Sequence, residues 1–157
     1  MNKEEGLEKV DLNKFTFSRN SFMRAADKNR KNTAEDIFNK FLLNKPEDSV
    51  LHWDGKLVDN FFGTKDEKLA ILVSGRPDYI EGKLLFIPSL WNADGDPTST
   101  GHAQVDACWE QIQKYELKEN IVAMTYDITS SITGCHKGAI KLIEDKLGRP
   151  VLHFGCR

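Results

Sequence analysis

Apolar residues in this chain fall into short continuous runs and helical stripes that follow one another in a definite order. From Ser21 to about Leu43 the apolar positions recur every three or four residues. Phe22, Ala25 and Ala26 form one patch, and Ile37, Phe38, Phe41 and Leu42 form another, as a helix requires. Thr33 followed by Asp36 has the spacing of a capping box, so two helices are predicted here, the second starting near Thr33 and stopping before Pro46. Three strand-like runs follow: Val50–Trp53, Leu69–Val73 and Lys83–Ile87. The first two are separated by a polar stretch read as a loop from Gly55 to Lys68. The third is entered through Glu81-Gly82 and stopped by Pro88. Asn92 to Pro97 reads as a loop. Thr98–Thr100 then offer an N-cap for a helix to about Leu117, with Val105, Cys108, Trp109, Ile112 and Tyr115 on one stripe. Ile121–Tyr126 is the most continuous apolar run and suits a buried central strand. A helix from about Cys135 to Leu147 buries Ala139, Ile140, Ile143 and Leu147, with Gly148 and Pro150 as stop signals. A last strand covers Val151–Phe154, and residues 1–18 read as a polar arm.

The resulting order, β-β-β-α-β-α-β after an N-terminal helical segment, predicts an α/β domain. Consecutive strands form an antiparallel meander and strands joined through helices run parallel, so the sheet is mixed. This is the order of a ribonuclease-H-like domain. The expected division is an arm over 1–18, a helical segment over 19–46 and an incomplete ribonuclease-H-like domain over 47–157. In such an order the first strand and the strand after the first core helix are neighbours. Asp54 and Asp127, 73 residues apart and each closing one of those two runs, are therefore expected to meet at one end of the sheet.

Paired carboxylates at neighbouring strand ends are one way to hold a hard divalent cation over a phosphodiester. The same two residues also suit purely local roles, Asp54-Gly55 as a turn and Asp127 as a cap for Ile128–Ser131. Two-metal phosphoryl transfer normally draws on at least three carboxylates, and no third is obvious. Glu144 and Asp145 lie on the last helix, and Asp94 and Asp96 lie in a loop without the glycine and glutamate positions of an EF-hand. His52, His102, His136 and His153 are scattered and receive no catalytic role. Cys108, Cys135 and Cys156 have no C-x-x-C spacing, which argues against a disulfide framework, and Cys108 reads as core.

Charge changes the picture in one place. The net charge of −2 argues against binding nucleic acid over the whole surface, but residues 1–45 carry +3 and residues 46–157 carry −5. Arg24, Lys28 and Lys31 share one helical face and are the candidate nucleic-acid contacts. No run reaches the roughly 20 apolar residues of a membrane span, and the charged start Met1–Glu5 lacks a secretory h-region. The expected setting is nuclear or cytoplasmic, without a membrane partner.

Four segments resemble a family: Leu51-His52-Trp53-Asp54-Gly55-Lys56, Ile71-Leu72-Val73-Ser74-Gly75, Tyr126–Gly134 and Leu147-Gly148-Arg149-Pro150. They are similar to transposase-derived ribonuclease-H-like proteins, distantly of the hAT type, from about Arg19 onward. The resemblance implies DDE-type phosphoryl transfer on DNA, with Asp54 and Asp127 as catalytic carboxylates holding Mg2+ or Mn2+. In that group the strand matching Cys156-Arg157 leads into a His-His pair and a helical region with the last acidic residue, and Asn stands where this chain has Ile132. The expectation is thus a remnant with two of three metal ligands, catalytically incomplete. A non-catalytic module binding nucleic acid or protein through its N-terminal helices, and a small nuclease completed by Asp94 or Glu144, are the alternatives.

Overall fold

The computed structural model describes residues 18–59, 63–92, 94–128 and 138–156. Its elements are α1 (Arg19–Leu43), β1 (Ser49–Asp59), β2 (Lys65–Gly75), β3 (Tyr79–Phe86), α2 (Gly101–Lys114), β4 (Ile121–Asp127), α3 (Ala139–Leu147) and β5 (Leu152–Cys156). The chain divides into two compact units, Met1–Lys40 and Phe41–Arg157.

The second unit is built on a five-stranded sheet of order β3-β2-β1-β4-β5. β1–β2 and β2–β3 are antiparallel, whereas β1–β4 and β4–β5 are parallel. Hairpins connect the first three strands and α-helices carry the two parallel crossovers, as short and long connections respectively demand. The sheet is mixed, as the order of elements predicts.

One face of the sheet is closed. Leu51 and Trp53 of β1, Leu69, Ile71 and Val73 of β2, and Met124 and Tyr126 of β4 are buried there. Val105, Cys108 and Ile112 of α2 and Ala139, Ile143 and Leu147 of α3 are buried with them. The Trp53 indole donates to Gln104 Oε1 at 3.3 Å, and Gln104 Nε2 donates to the Ser99 carbonyl at 2.8 Å, so these buried polar groups are paired, whereas Gln111 Oε1 on the same helix is buried without a hydrogen-bond partner among the described residues. Burial pushes the Cys108 thiol far above its usual range, in keeping with its reading as core. Phe41 closes the edge of the core against Tyr79 and Tyr115, at ring separations of 4.9 and 5.3 Å.

Three sequence expectations change. The N-terminal segment is one continuous helix through Thr33 and Asp36, not two. A capping box is a local signal, and a helix overrides it where the backbone continues to satisfy its own N–H groups. Phe22 and Ile37 of its expected apolar patches stay exposed, while Phe41 is buried. Much of the stretch from Gly55 to Lys68 is strand rather than loop, Gly55–Asp59 belonging to β1 and Lys65–Lys68 to β2. β1 runs on to Asp59 and pairs with β2 as far as Asp59↔Lys65, held by backbone hydrogen bonds although none of Lys56–Asp59 is buried. The hairpin partner of β2 likewise starts earlier than expected, at Tyr79 rather than Lys83.

Elsewhere the expectations hold closely. Thr100 caps α2 through Oγ1, which accepts from the Ala103 N–H. Gly148 ends α3 in the left-handed region at φ 77°, where a Cβ would be strained. The predicted start of α3 at Cys135, together with Cys135, His136 and the loop 129–134, lies outside the described residues, as do residues 1–17. Among the described residues no helix is long and apolar enough to cross a membrane.

Candidate metal site on the open sheet face

Strand alternation decides where the two aspartates point. In β1, Leu51 and Trp53 face the helices, so His52 and Asp54 face the other way. β4 follows suit in register: Leu51↔Met124 and Trp53↔Tyr126 share the helix face, and His52↔Thr125 share the opposite one. Trp53↔Tyr126 is the last paired position of β1 and β4, and the next residues along the two strands are Asp54 and Asp127. Two neighbouring parallel strands thus carry these carboxylates side by side. His52, Trp53, Asp54, Leu72, Thr125, Tyr126 and Asp127 line a pocket of about 360 Å³.

Asp54 is not at the end of its strand, contrary to the sequence reading. It sits where β1 parts from β4 but remains paired with β2, opposite Ala70. Continuing backbone pairing on one side only leaves Asp54 anchored while its other flank opens toward Asp127. Asp127 is the final residue of β4 and pairs across to Cys156 of β5. Both aspartates are exposed. Neither carboxylate makes a hydrogen bond or ion pair among the described residues.

His52, to which the sequence reading gave no role, is drawn into the same pocket. Its Nε2 lies 2.7 Å from Ser74 Oγ, and partial burial lowers its pKa below the ordinary 6.5. It therefore stands beside the aspartates as a neutral ring at neutral pH. The signal for this was present in the sequence as the two-residue spacing from Asp54, which puts both on one face of a strand.

The other acidic candidates are committed elsewhere. Glu144 Oε1 accepts from the Val151 N–H and lies 3.0 Å from His153 Nε2. That ties α3 to β5 on the helix-covered side, away from the open face. Asp145 pairs with Lys141 at 2.9 Å. The Asn92 loop is organised by its own amide, with Asn92 Oδ1 accepting from the Asp94 and Asp96 N–H groups at 3.0 and 2.8 Å. It is a hydrogen-bonded turn rather than a calcium loop.

Among the described residues, no group of three His, Cys, Asp or Glu side chains is placed to hold a metal. The donor set nevertheless suits one hard cation, since Mg2+ commonly binds through one or two carboxylates and completes its shell with water and substrate phosphate. It does not suit a pair of ions on protein ligands alone. A larger pocket of about 720 Å³ lies toward the other end of β1, lined by residues such as Asp48, Val50, Gly75, Arg76 and Val122, and holds neither aspartate.

Solved structures similar to this chain include transposase catalytic domains. The Mos1 transposase catalytic domain with raltegravir and Mg matches with a TM-score of 0.43 and 14% identity, over 88% of this chain and 63% of that one. The catalytic domain of Mos1 mariner transposase matches with a TM-score of 0.42, 14% identity and coverage of 88% and 62%. The same domain with raltegravir and Mn gives 0.41, 15%, 88% and 62%. The chain spans less than two thirds of the length of these structures. No protein-family model matches the sequence, and no curated protein does.

The nucleic-acid candidates Arg24, Lys28 and Lys31 all lie on α1 and are exposed. Spacings of four and three residues set them along one side of a straight helix. Nearby Arg30 is paired with Asp27 at 2.6 Å.

Proposed function

We propose that residues 47–157 form a ribonuclease-H-like domain of transposase type that holds one divalent cation, Mg2+ or Mn2+, between Asp54 and Asp127 and directs it at a DNA phosphodiester. The observation supporting this reading is the register of β1 against β4, which sets two exposed carboxylates side by side on an open sheet face. Such a cation, when bound, supplies positive charge to the phosphoryl oxygens and lowers the pKa of bound water. The chain's own contribution is to fix the two oxygen donors on rigid strands. Neutral His52 places no competing positive charge beside them, and Thr125 and Leu72 form the pocket wall. Among the described residues no third carboxylate joins these two, and the described residues are proposed as a catalytically incomplete remnant of DDE chemistry. Placement within the hAT group rests on the sequence segments around Trp53-Asp54, Ser74-Gly75, Tyr126-Asp127 and Arg149-Pro150 alone.

Manganese titration followed by electron paramagnetic resonance tests the site. The wild-type chain should bind about one Mn2+, and Asp54→Ala and Asp127→Ala should each lose it. Unchanged binding in both variants rules the site out.

A second reading, a non-catalytic DNA-binding module, is favoured by the exposed face of Arg24, Lys28 and Lys31 in a chain whose remainder is acidic. Titration of duplex DNA at several salt concentrations separates the two. For the module, Arg24→Ala, Lys28→Ala and Lys31→Ala together should reduce the salt slope by up to about 0.9 per lost phosphate contact, while Asp54→Ala leaves binding intact.

A further inference from the structure

A divalent cation between Asp54 and Asp127 leaves that pair with no net charge, since two carboxylates cancel one such ion. A phosphodiester placed on the cation then adds a negative charge, and His52 beside it is a neutral ring. DNA is held largely by cations that meet its phosphates, so positive charge near the pair is the missing element. Strand register supplies it. Asp54 and Lys56 alternate onto the same open face of β1, about 7 Å apart along the strand. Antiparallel pairing sets Lys68 of β2 directly opposite Lys56. Lys65, three residues before Lys68, falls on the other face of the same hairpin.

The two lysines on the open face differ in what holds them. Lys68 Nζ lies 2.6 Å from Asp66 Oδ2 and 2.5 Å from Ser89 Oγ, and Ser89 donates to the same carboxylate at 3.0 Å. Its charge is committed to Asp66. Lys56 is exposed and makes no hydrogen bond or ion pair among the described residues. Packing does not account for it, because none of Lys56–Asp59 is buried. Pairing does not account for it either, because like charges directly opposite each other on a sheet are unfavourable. β4 pairs with β1 no further than Trp53↔Tyr126, so from Asp54 to Lys56 the strand is paired on its β2 side only.

We propose that Lys56 is a DNA-phosphate contact of the Asp54–Asp127 site, setting the sugar–phosphate backbone over the bound cation and supplying the positive charge that the loaded pair lacks. The proposal rests on the reading of that pair as a cation site. A lysine ammonium is a compact point charge on a flexible stem, so it fixes where the backbone runs and reads no base. The backbone path it defines follows β1 from the cation toward the hairpin. Without the cation the two carboxylates repel that backbone, and Lys56 alone does not hold it there.

Fluorescence anisotropy of a labelled DNA duplex with the full 157-residue chain, at several salt concentrations and with and without Mn2+, tests this beside Mn2+ binding followed by electron paramagnetic resonance. Mn2+ should strengthen DNA binding by the wild type. With Mn2+ present, Lys56→Ala should weaken DNA binding about tenfold and lower the salt slope by about 0.9. Without Mn2+ the same substitution should make no difference. Lys56→Arg, which keeps the charge, should bind DNA as the wild type does, and so should Lys65→Ala on the opposite face. Lys56→Ala should bind Mn2+ no more weakly than the wild type, because it removes a positive charge from beside the ion. A Lys56→Ala chain that binds both Mn2+ and DNA as the wild type does overturns the role of Lys56 and leaves the cation site standing. An equal loss in Lys65→Ala, or a loss that is the same without Mn2+, reduces the effect to general hairpin charge and overturns it too. Failure of the wild type to bind Mn2+ removes the reading of the pair and this proposal together.

Discussion

Replacing either aspartate by asparagine should move stability in opposite directions with and without metal. Asp54 and Asp127 lie on adjacent parallel strands, one step beyond the last paired position Trp53↔Tyr126. Neighbouring strands are about 4.8 Å apart, so two carboxylates on them sit on the order of 5 Å from each other. At water-like screening their repulsion is about 0.8 kcal/mol, less in salt. Asp54→Asn or Asp127→Asn should therefore raise the metal-free stability slightly, by about 0.5 kcal/mol, or about 2 °C in Tm for a unit of this size. The wild type should gain about 1.4 kcal/mol at a Mn2+ concentration ten times its dissociation constant, through binding to the folded state alone. That corresponds to about 5 °C. The variants should gain almost nothing, so the order of Tm values reverses on adding metal. Thermal unfolding followed by circular dichroism at low ionic strength, with Mn2+ varied from zero to 10 mM (about tenfold a millimolar dissociation constant), reads both effects. A metal-dependent rise in either variant equal to that of wild type refutes the reasoning about the pair.

Three further outcomes follow from packing and charge. Leu51→Ala removes a fully buried side chain from the central strand and should cost about 3 kcal/mol in urea unfolding, within the range for such truncations. Gly75→Ala would set a Cβ 2.5 Å from both the Asp48 carbonyl oxygen and Pro46 Cβ; backbone cannot yield as a side chain can, so the same assay should show a loss of roughly 1–3 kcal/mol. The Asp66 carboxyl is held below its usual pKa, first by its hydrogen bond from Lys68 at 2.6 Å and then by Ser89. The unfolded chain takes up that proton first as pH falls, so this stabilisation is complete above the unfolded value near 4 and is lost on acidification through the lower folded value. Asp66→Asn should flatten the acid side of the stability–pH curve between those two values, and an unchanged curve would contradict the pairing.

The order of elements was legible in the sequence because each signal for it is local. Continuous apolar runs at 69–73 and 121–126, the stripe from Val105 to Ile112, the Thr100 cap and the Gly148 stop report on their own neighbourhoods, and all reappear in the fold. Signals for extent were weaker. Lys56–Asp59 has no buried residue, so nothing in its pattern distinguishes a strand from a loop; only its pairing with Lys65–Lys68 does. Likewise Thr33 and Asp36 look like a helix start, and only the continuing backbone of α1 shows otherwise.

By itself, then, the sequence determined an alternation of strands and helices and the placement of Asp54 and Asp127 on two of those strands. Periodicity and capping arise from side chains a few residues apart, and the chain displays them whether folded or not. Tertiary structure alone decided that the two aspartates stand side by side, that His52 joins them, and that Glu144 is drawn off to His153 and the Val151 N–H. Each of those depends on strand register and on which face the helices cover, and register is a relation between segments far apart in the chain.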